Sequence, residues 1–222
     1  MHWSSILIIA VTALIYLLFL FWHSPLFSRR LAPGEAETLL GGKYHETEPR
    51  LRESLRAFAD EDDGRPFYMV NLLQYREWAL EKKMGSHRSV QEISTREQMR
   101  RTGREAALAY NRMVIPELLK RGSYPLIAVR KITNLITVGP DSDFSDGNFF
   151  EEVAIVRYRS RRDMIRMITA PRFIAGVDDK WASLEKTVAV PCSSMLVFDL
   201  GAIVPLLLVS IMAISLLFTS LF

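Results

Sequence analysis

A single cysteine, Cys192, excludes an internal disulfide framework and accords with a reducing compartment. It stands beside Ser193 and Ser194 with no base in the neighbouring sequence, so it reads as an inert thiol. Histidine is scarce too. His2, His23, His45 and His87 are scattered, with no pair at helical ligand spacing and no acid grouped with them, which argues against a metal or haem site. No phosphate-binding glycine loop, nucleophile constellation or internal repeat is present, and no motif calls for a cofactor. Charge of neither sign dominates. The 28 basic and 25 acidic residues leave a formal charge of +3, and the aromatics are not interleaved with the cations, which excludes nucleic acid as the expected partner.

What the chain does have is an apolar run at each end. Ile6 to Trp22 carries no charge and spans roughly 25 Å as a helix; Leu200 to Phe222 carries none either and spans roughly 35 Å. No Lys or Arg precedes the first run and no Ala-x-Ala follows it, so it is expected as a retained anchor rather than a cleaved signal. Trp3 and Trp22 flank it as interfacial residues would. Arg29 and Arg30 follow the first run, Lys180 and Lys186 precede the second, and the outer ends lack Lys and Arg. The bias places the middle of the chain in the cytoplasm and both termini outside. The lipid bilayer is thus the first expected partner.

Four regions are expected: an anchor at 5–23, a juxtamembrane linker with short helices at 24–65, a folded domain at 66–198, and an anchor at 199–222. In the linker a helix is expected from Glu48 to Ala59, with Thr47 as N-cap and Leu51, Leu55 and Phe58 on one face. It suits packing on the domain or on the membrane. Phe67 to Tyr75 is apolar on both alternating faces and reads as a strand buried on both sides. Residues 76–102 turn strongly polar and form an exposed insert, in which His87 lies. A helix follows from about Gly103 to Arg121, with Gly122 as its stop and Pro116 expected to bend its last turns. Strands are expected at Pro125 to Val138 and Glu151 to Tyr158, antiparallel neighbours joined by turn chemistry at 139–148. Ser160 caps a helix to Ile168, another runs from Pro171 to about Lys186, and a last strand from Thr187 to about Val197. The order strand, helix, strand, strand, helix, strand is the βαββαβ arrangement of a ferredoxin-like α+β domain.

Met69-Val70-Asn71-Leu72-Leu73, the Tyr110 to Gly122 helix with Val114-x-Pro116, and Ala170-Pro171-Arg172-Phe173 resemble a bacterial family of domains of unknown function. That family belongs to the dimeric α/β-barrel superfamily, in which two ferredoxin-like subunits pack sheet against sheet. The resemblance covers roughly residues 66–198 and implies a homodimer, here at a bacterial inner membrane. It does not select a chemistry, since one superfamily houses cofactor-free monooxygenases, isomerases, haem enzymes and sensors.

Polar residues inside apolar strands mark the candidate substrate-binding positions: Asn71, Arg130 and Arg157, with Tyr75, Tyr110 and Tyr158 nearby. A buried arginine needs an anion. Either a substrate carboxylate or phosphate supplies it, or Glu151, Glu152 or Glu117 does. Two functions are expected on this basis. The first is an accessory or assembly subunit of a larger membrane complex; the alternative is a cofactor-free monooxygenase or isomerase acting on a small anionic or lipid-soluble substrate.

Overall fold

Residues 3–41, 49–80, 101–135, 150–195 and 197–221 are described by the structure, a computed structural model. The expected N-cap Thr47, the side chain of Leu51, the histidines His2, His45 and His87, the core of the insert at 81–100 and the turn at 139–148 lie outside the described residues.

Strand β1 (Phe67–Tyr75) has the boundaries its composition predicts and lies inside the sheet. It pairs antiparallel with β3 (Glu152–Tyr158) on one side and β4 (Leu184–Cys192) on the other, and β2 (Tyr124–Arg130) pairs with β3, giving the order β2-β3-β1-β4. Successive side chains of a strand point to opposite faces. Phe67 and Met69 of β1 and Val156 and Tyr158 of β3 therefore share one face, where Phe67 and Tyr158 stack at 5.0 Å and join the core. The helices α4 (Gly103–Leu119) and α6 (Pro171–Ser183) pack together, and from them Val114, Leu118, Tyr110 and Phe173 reach that core.

Local chemistry fixes the helix ends. The Thr102 hydroxyl accepts from the Glu105 amide while the Glu105 carboxylate accepts from the Thr102 amide, a reciprocal cap on α4. The helix continues through Pro116 and stops three residues later; Gly122 then turns the chain at φ 66°, a left-handed conformation that glycine adopts without strain. Ser160 caps the short helix α5 (Arg161–Ile168) by accepting from the Asp163 amide. Ile165 of α5 is completely buried.

Two expected strands have different bounds. The strand expected to Val138 ends at Arg130, because its partner β3 begins only at Glu152; the last bond runs from the Lys131 amide to the Glu151 carbonyl, and Ile132 beyond it is fully exposed. The last strand starts and stops early, at Leu184 and Cys192, in register with β1. The ends of the insert are pinned together: Trp78 bridges to Thr102, and the Arg76 and Leu80 amides donate to the Ser183 and Ala182 carbonyls.

The linker packs on the domain. Its helices α2 (Glu35–Leu40) and α3 (Pro49–Asp60) deliver Ala36 and Ala59 to the core and bring Leu55 and Phe58 against it. One carboxylate ties it to α5. Glu35 accepts from the Ala32 amide, from Arg162 of α5 at 2.6 and 2.9 Å, and from Arg29 at 3.1 Å. At the chain ends, α1 (Trp3–His23) and α7 (Leu200–Leu221) lie against one another, and both are long and apolar enough to cross a membrane.

The Ala32 amide and the two arginines hold the Glu35 carboxyl down at about 2, from 4.5. Because the folded state prefers the ionised form, the stabilisation is complete above about pH 4.5 and is lost as the pH falls toward 2. We expect Glu35→Gln to melt below the parent protein at pH 7 and the difference to shrink steadily on acidification to pH 2.5. A constant difference across that range, followed by thermal melting in detergent, would refute the assignment.

Candidate functional site

Strand register places Tyr124 of β2, Arg157 of β3, Tyr68 of β1 and Cys192 of β4 in one row across the face of the sheet turned away from α4 and α6. The row lies at the end of the sheet nearest α1 and α7. Arg157 is only 2% exposed, and two segments from outside the sheet close over it, the last residue of α1 and the residue preceding α7.

From α1 comes the His23 carbonyl, which accepts from Arg157 Nη2 at 3.2 Å; the Gly122 carbonyl accepts from Nη1 at the same distance. From the start of α7 comes Asp199. Its Oδ2 lies 3.0 Å from Arg157 Nε and accepts from the Tyr68 hydroxyl at 3.1 Å. The Nε contact is an ion pair without an aligned N–H bond. Asp199 Oδ1 accepts from the Gly201 amide at 2.8 Å, and the Asp199 carbonyl accepts from the Ala202 and Ile203 amides, so the same residue caps α7. The His23 ring meets the Tyr124 hydroxyl through Nε2 at 3.1 Å.

A second arginine repeats the motif two residues on. Arg159 is held by Asp163 at 2.7 and 3.1 Å and donates to the Trp22 and Phe21 carbonyls at 3.3 and 3.5 Å. Trp22 stacks on Tyr124 at 5.8 Å and donates from Nε1 to the Leu119 carbonyl at 2.5 Å. Close approach here requires Gly122, since a Cβ at that position would collide with the Trp22 carbonyl. Burial, and then the Asp199 charge, push the Tyr68 phenol up; burial pushes the Tyr124 phenol up against the opposing pull of Arg157. Both phenols stay protonated at neutral pH.

Beside this network lies an open cleft of about 980 Å³. Tyr68, Val70, Tyr124, Ile127 and Ile155 belong to its sheet wall; Trp22, Leu200 and Ile203 of α1 and α7, with the stretches 193–195 and 197–199, line the side facing it. Its surface is mostly apolar. The polar groups on it include the two phenols, Asp199, Ser193 and Ser194.

Of the residues singled out from the sequence, only Arg157 belongs to this network. Asn71 points to the helix-covered face, where its amide donates to the Met69 and Ala154 carbonyls at 3.1 Å. The Tyr75 hydroxyl donates to Glu152 at 3.0 Å, and its ring lies under the Arg104 guanidinium. Tyr110 meets Phe173 edge to face, with the Lys180 ammonium 5.9 Å from its ring centre. Burial raises both phenols. Tyr158 stacks in the core, and Arg130 is exposed at the end of β2 opposite Glu152. The anion that meets Arg157 is none of those expected: Arg104 takes Glu151 and Glu152, and Lys120 and Arg121 take Glu117.

His23, Tyr68, Tyr124 and Asp199 were not singled out from the sequence. A signal for two of them exists, since His23 closes the first apolar run and Asp199 is the acid immediately before the second. Among the described residues no group of three His, Cys, Asp or Glu is placed to hold a metal.

No family model and no curated protein matches this sequence. Two solved structures do. The RPA0582 protein of unknown function from Rhodopseudomonas palustris is 20% identical at a TM-score of 0.50, with 68% of this chain and 96% of that one covered. The methylated RPA0582 protein gives 20% and 0.51 over 69% and 96%. At this identity the likeness is one of fold.

Asp199→Asn leaves Arg157 buried beside a neutral amide, and we expect it to lower stability by about 3–5 kcal/mol. Replacing both partners, Arg157→Met with Asp199→Asn, should recover much of that loss, because no uncompensated charge remains. Unfolding of the four proteins of this cycle measures the coupling, and additive losses would show that the pair does not act as a unit.

Proposed function

We propose that the chain is a membrane-anchored accessory module. In this reading α1 and α7 cross a bacterial inner membrane side by side, with both termini outside. The domain, a ferredoxin-like βαββαβ unit, stands on the cytoplasmic surface and docks protein through its sheet. Arg29 and Arg30, shortly beyond the end of α1 at His23, support that orientation. The strand order β2-β3-β1-β4 with all pairs antiparallel supports the ferredoxin-like assignment.

The observation that carries the docking role is the state of the second sheet face. Val70 and Leu72 of β1, Val153 and Ile155 of β3, Ile127 and Val129 of β2 and Val188 and Val190 of β4 all point to it. Ile127, Val129, Val188 and Val190 are 40–52% exposed. A contiguous apolar surface of this kind marks an interaction site. The first occupant we assign is a second copy of the chain: two such faces match in polarity, aligned sheets pack about 10 Å apart, and a two-fold axis closes the contact. The resulting dimer is the unit that would join further membrane subunits.

The enzymatic alternative, a cofactor-free monooxygenase or isomerase working with Asn71, Arg130 and Tyr110 on an anionic substrate, has weaker support. The Asn71 amide is engaged by backbone carbonyls and the Arg157 charge is met by Asp199, so neither offers an uncommitted group to an anion.

Native mass spectrometry of the full-length protein, extracted in mild detergent, tests the docking role. We expect a species at twice the 25.4 kDa chain mass, and association at least tenfold weaker in Val129→Lys and Val190→Lys. Foreign subunits in fixed ratio, lost in the same variants, would replace the self-contact and keep the accessory role. A monomer without partners, or assembly indifferent to both lysines, would overturn the proposal.

A further inference from the structure

We infer that the cleft beside Tyr68 and Tyr124 is a binding site for a neutral, single-chain lipid whose head carries hydroxyl groups, entered sideways from the bilayer. The inference rests on the membrane-anchored reading and adds a ligand to it. Three features of the cleft argue for this class of molecule.

The first is continuity. Trp22, Leu200 and Ile203 lie where α1 ends and α7 begins, so one wall of the cleft belongs to the two helices proposed to enter the bilayer. The opposite wall, Val70, Ile127 and Ile155, is part of the apolar sheet face. A chain sliding off the outer surface of α7 toward the sheet stays in contact with apolar side chains throughout, and so leaves the hydrocarbon without meeting water. A second copy docked on the sheet would roof the cleft without blocking its side toward the helices.

The second is charge. Arg157, behind the cleft wall, is buried and neutralised by Asp199, while the Asp199 carboxylate itself lines the wall. A carboxylate or phosphate head would meet that negative charge with no Lys or Arg among the described residues that line the cleft. The polar atoms on offer include strong acceptors: the Tyr68 proton is committed to Asp199, which leaves the Tyr68 oxygen lone pairs and the carboxylate to receive a bond, while the Ser193 and Ser194 hydroxyls can give or take one. A hydroxyl donates to such groups, whereas an ester or ketone carbonyl alone does not. This selects a monoacylglycerol or long-chain alcohol over a fatty acid.

The third is size. The volume of about 980 Å³ lies at the top of the range for small-molecule sites, roughly 300–1,000 Å³, which suits a head with a long chain. Trp22 and Tyr124, stacked on one another, both line the cleft.

The test uses the full-length protein in liposomes containing a trace of monoacylglycerol with a diazirine in mid-chain. Peptides are mapped after photolysis. We expect label on α1 and α7, which face lipid, and also on the strand segments around Val70 and Ile127. The strand label should fall at least fivefold with excess unlabelled monoolein and should resist the same excess of oleate. Ile203→Trp fills the cleft from the helix side, leaves the sheet face intact, and should remove the strand label while leaving the helix label unchanged. Label on the helices without saturable label on the strands overturns the site and keeps the anchored reading; equal competition by oleate overturns the choice of head group. Strand label unchanged in a folded Ile203→Trp protein also overturns the site. Absence of label from α1 and α7 sinks the anchored reading itself.

Discussion

The buried contact between Arg157 and Asp199 is the constraint on which the arrangement of this chain depends. A helix leaves its last carbonyls without partners and presents a negative end there, and it leaves its first amides without partners at a positive end. Helix α1 ends where α7 begins, so both deficits meet at one end of the sheet. Arg157 of β3 and Arg159 just beyond its end answer the first, donating to the carbonyls of Phe21, Trp22 and His23. Asp199 answers the second by capping α7. The two answers carry opposite charge and lie 3.0 Å apart, so the ion pair couples the two helix ends to each other and to the sheet.

Such a pair contributes little net stability, because removing both charges from water offsets most of their attraction. Its effect is on geometry. An Arg157 that left its place would strand a charge in an apolar surround, and so would a displaced Asp199. The domain is therefore held against the terminal helices in one pose instead of hanging from them on free tethers. Gly122 contributes to the same end, since only a residue without Cβ lets the Trp22 carbonyl come so near. The linker is fastened on the other side by Glu35 with Arg29 and Arg162, which leaves little of the described chain free to swing.

The parts of this structure legible in the sequence are those fixed by neighbours along the chain. The limits of β1, the capping of α5 by Ser160, the Gly122 stop and both apolar helices follow from local composition. The parts that were not legible depend on partners far away. Ala36 and Ala59 carry no periodic signal strong enough to place them in a core, and β2 stops where β3 ceases to offer a partner, which no pattern within β2 records. The rule that a polar residue in an apolar strand marks a site singled out Asn71, Arg130 and Arg157 together. It has three different outcomes here: backbone carbonyls take up Asn71, Arg130 sits exposed at a strand end, and Arg157 is buried in an ion pair with Asp199. Asp199, its counter-charge, lies 42 residues farther along the chain, and nothing in the pattern around either residue records that they meet.

The alternation of β1 also explains why the second face of the sheet matters. Phe67 and Met69 are covered by the domain's own helices, and the same alternation turns Tyr68, Val70 and Leu72 the other way. One layer of helices covers only one face, so whatever shields the other must come from elsewhere. At the end near α1 and α7 the chain supplies part of that cover itself, with the residues leading to Asp199 and the first turns of α7, and the cleft is the space this partial cover encloses. Farther along, the described residues leave Val129, Val188 and Val190 40–52% exposed. A polar outer face would have made a stable sheet without any cover. The apolar one places the cost of exposure on the isolated chain, and burial against a second apolar surface removes it.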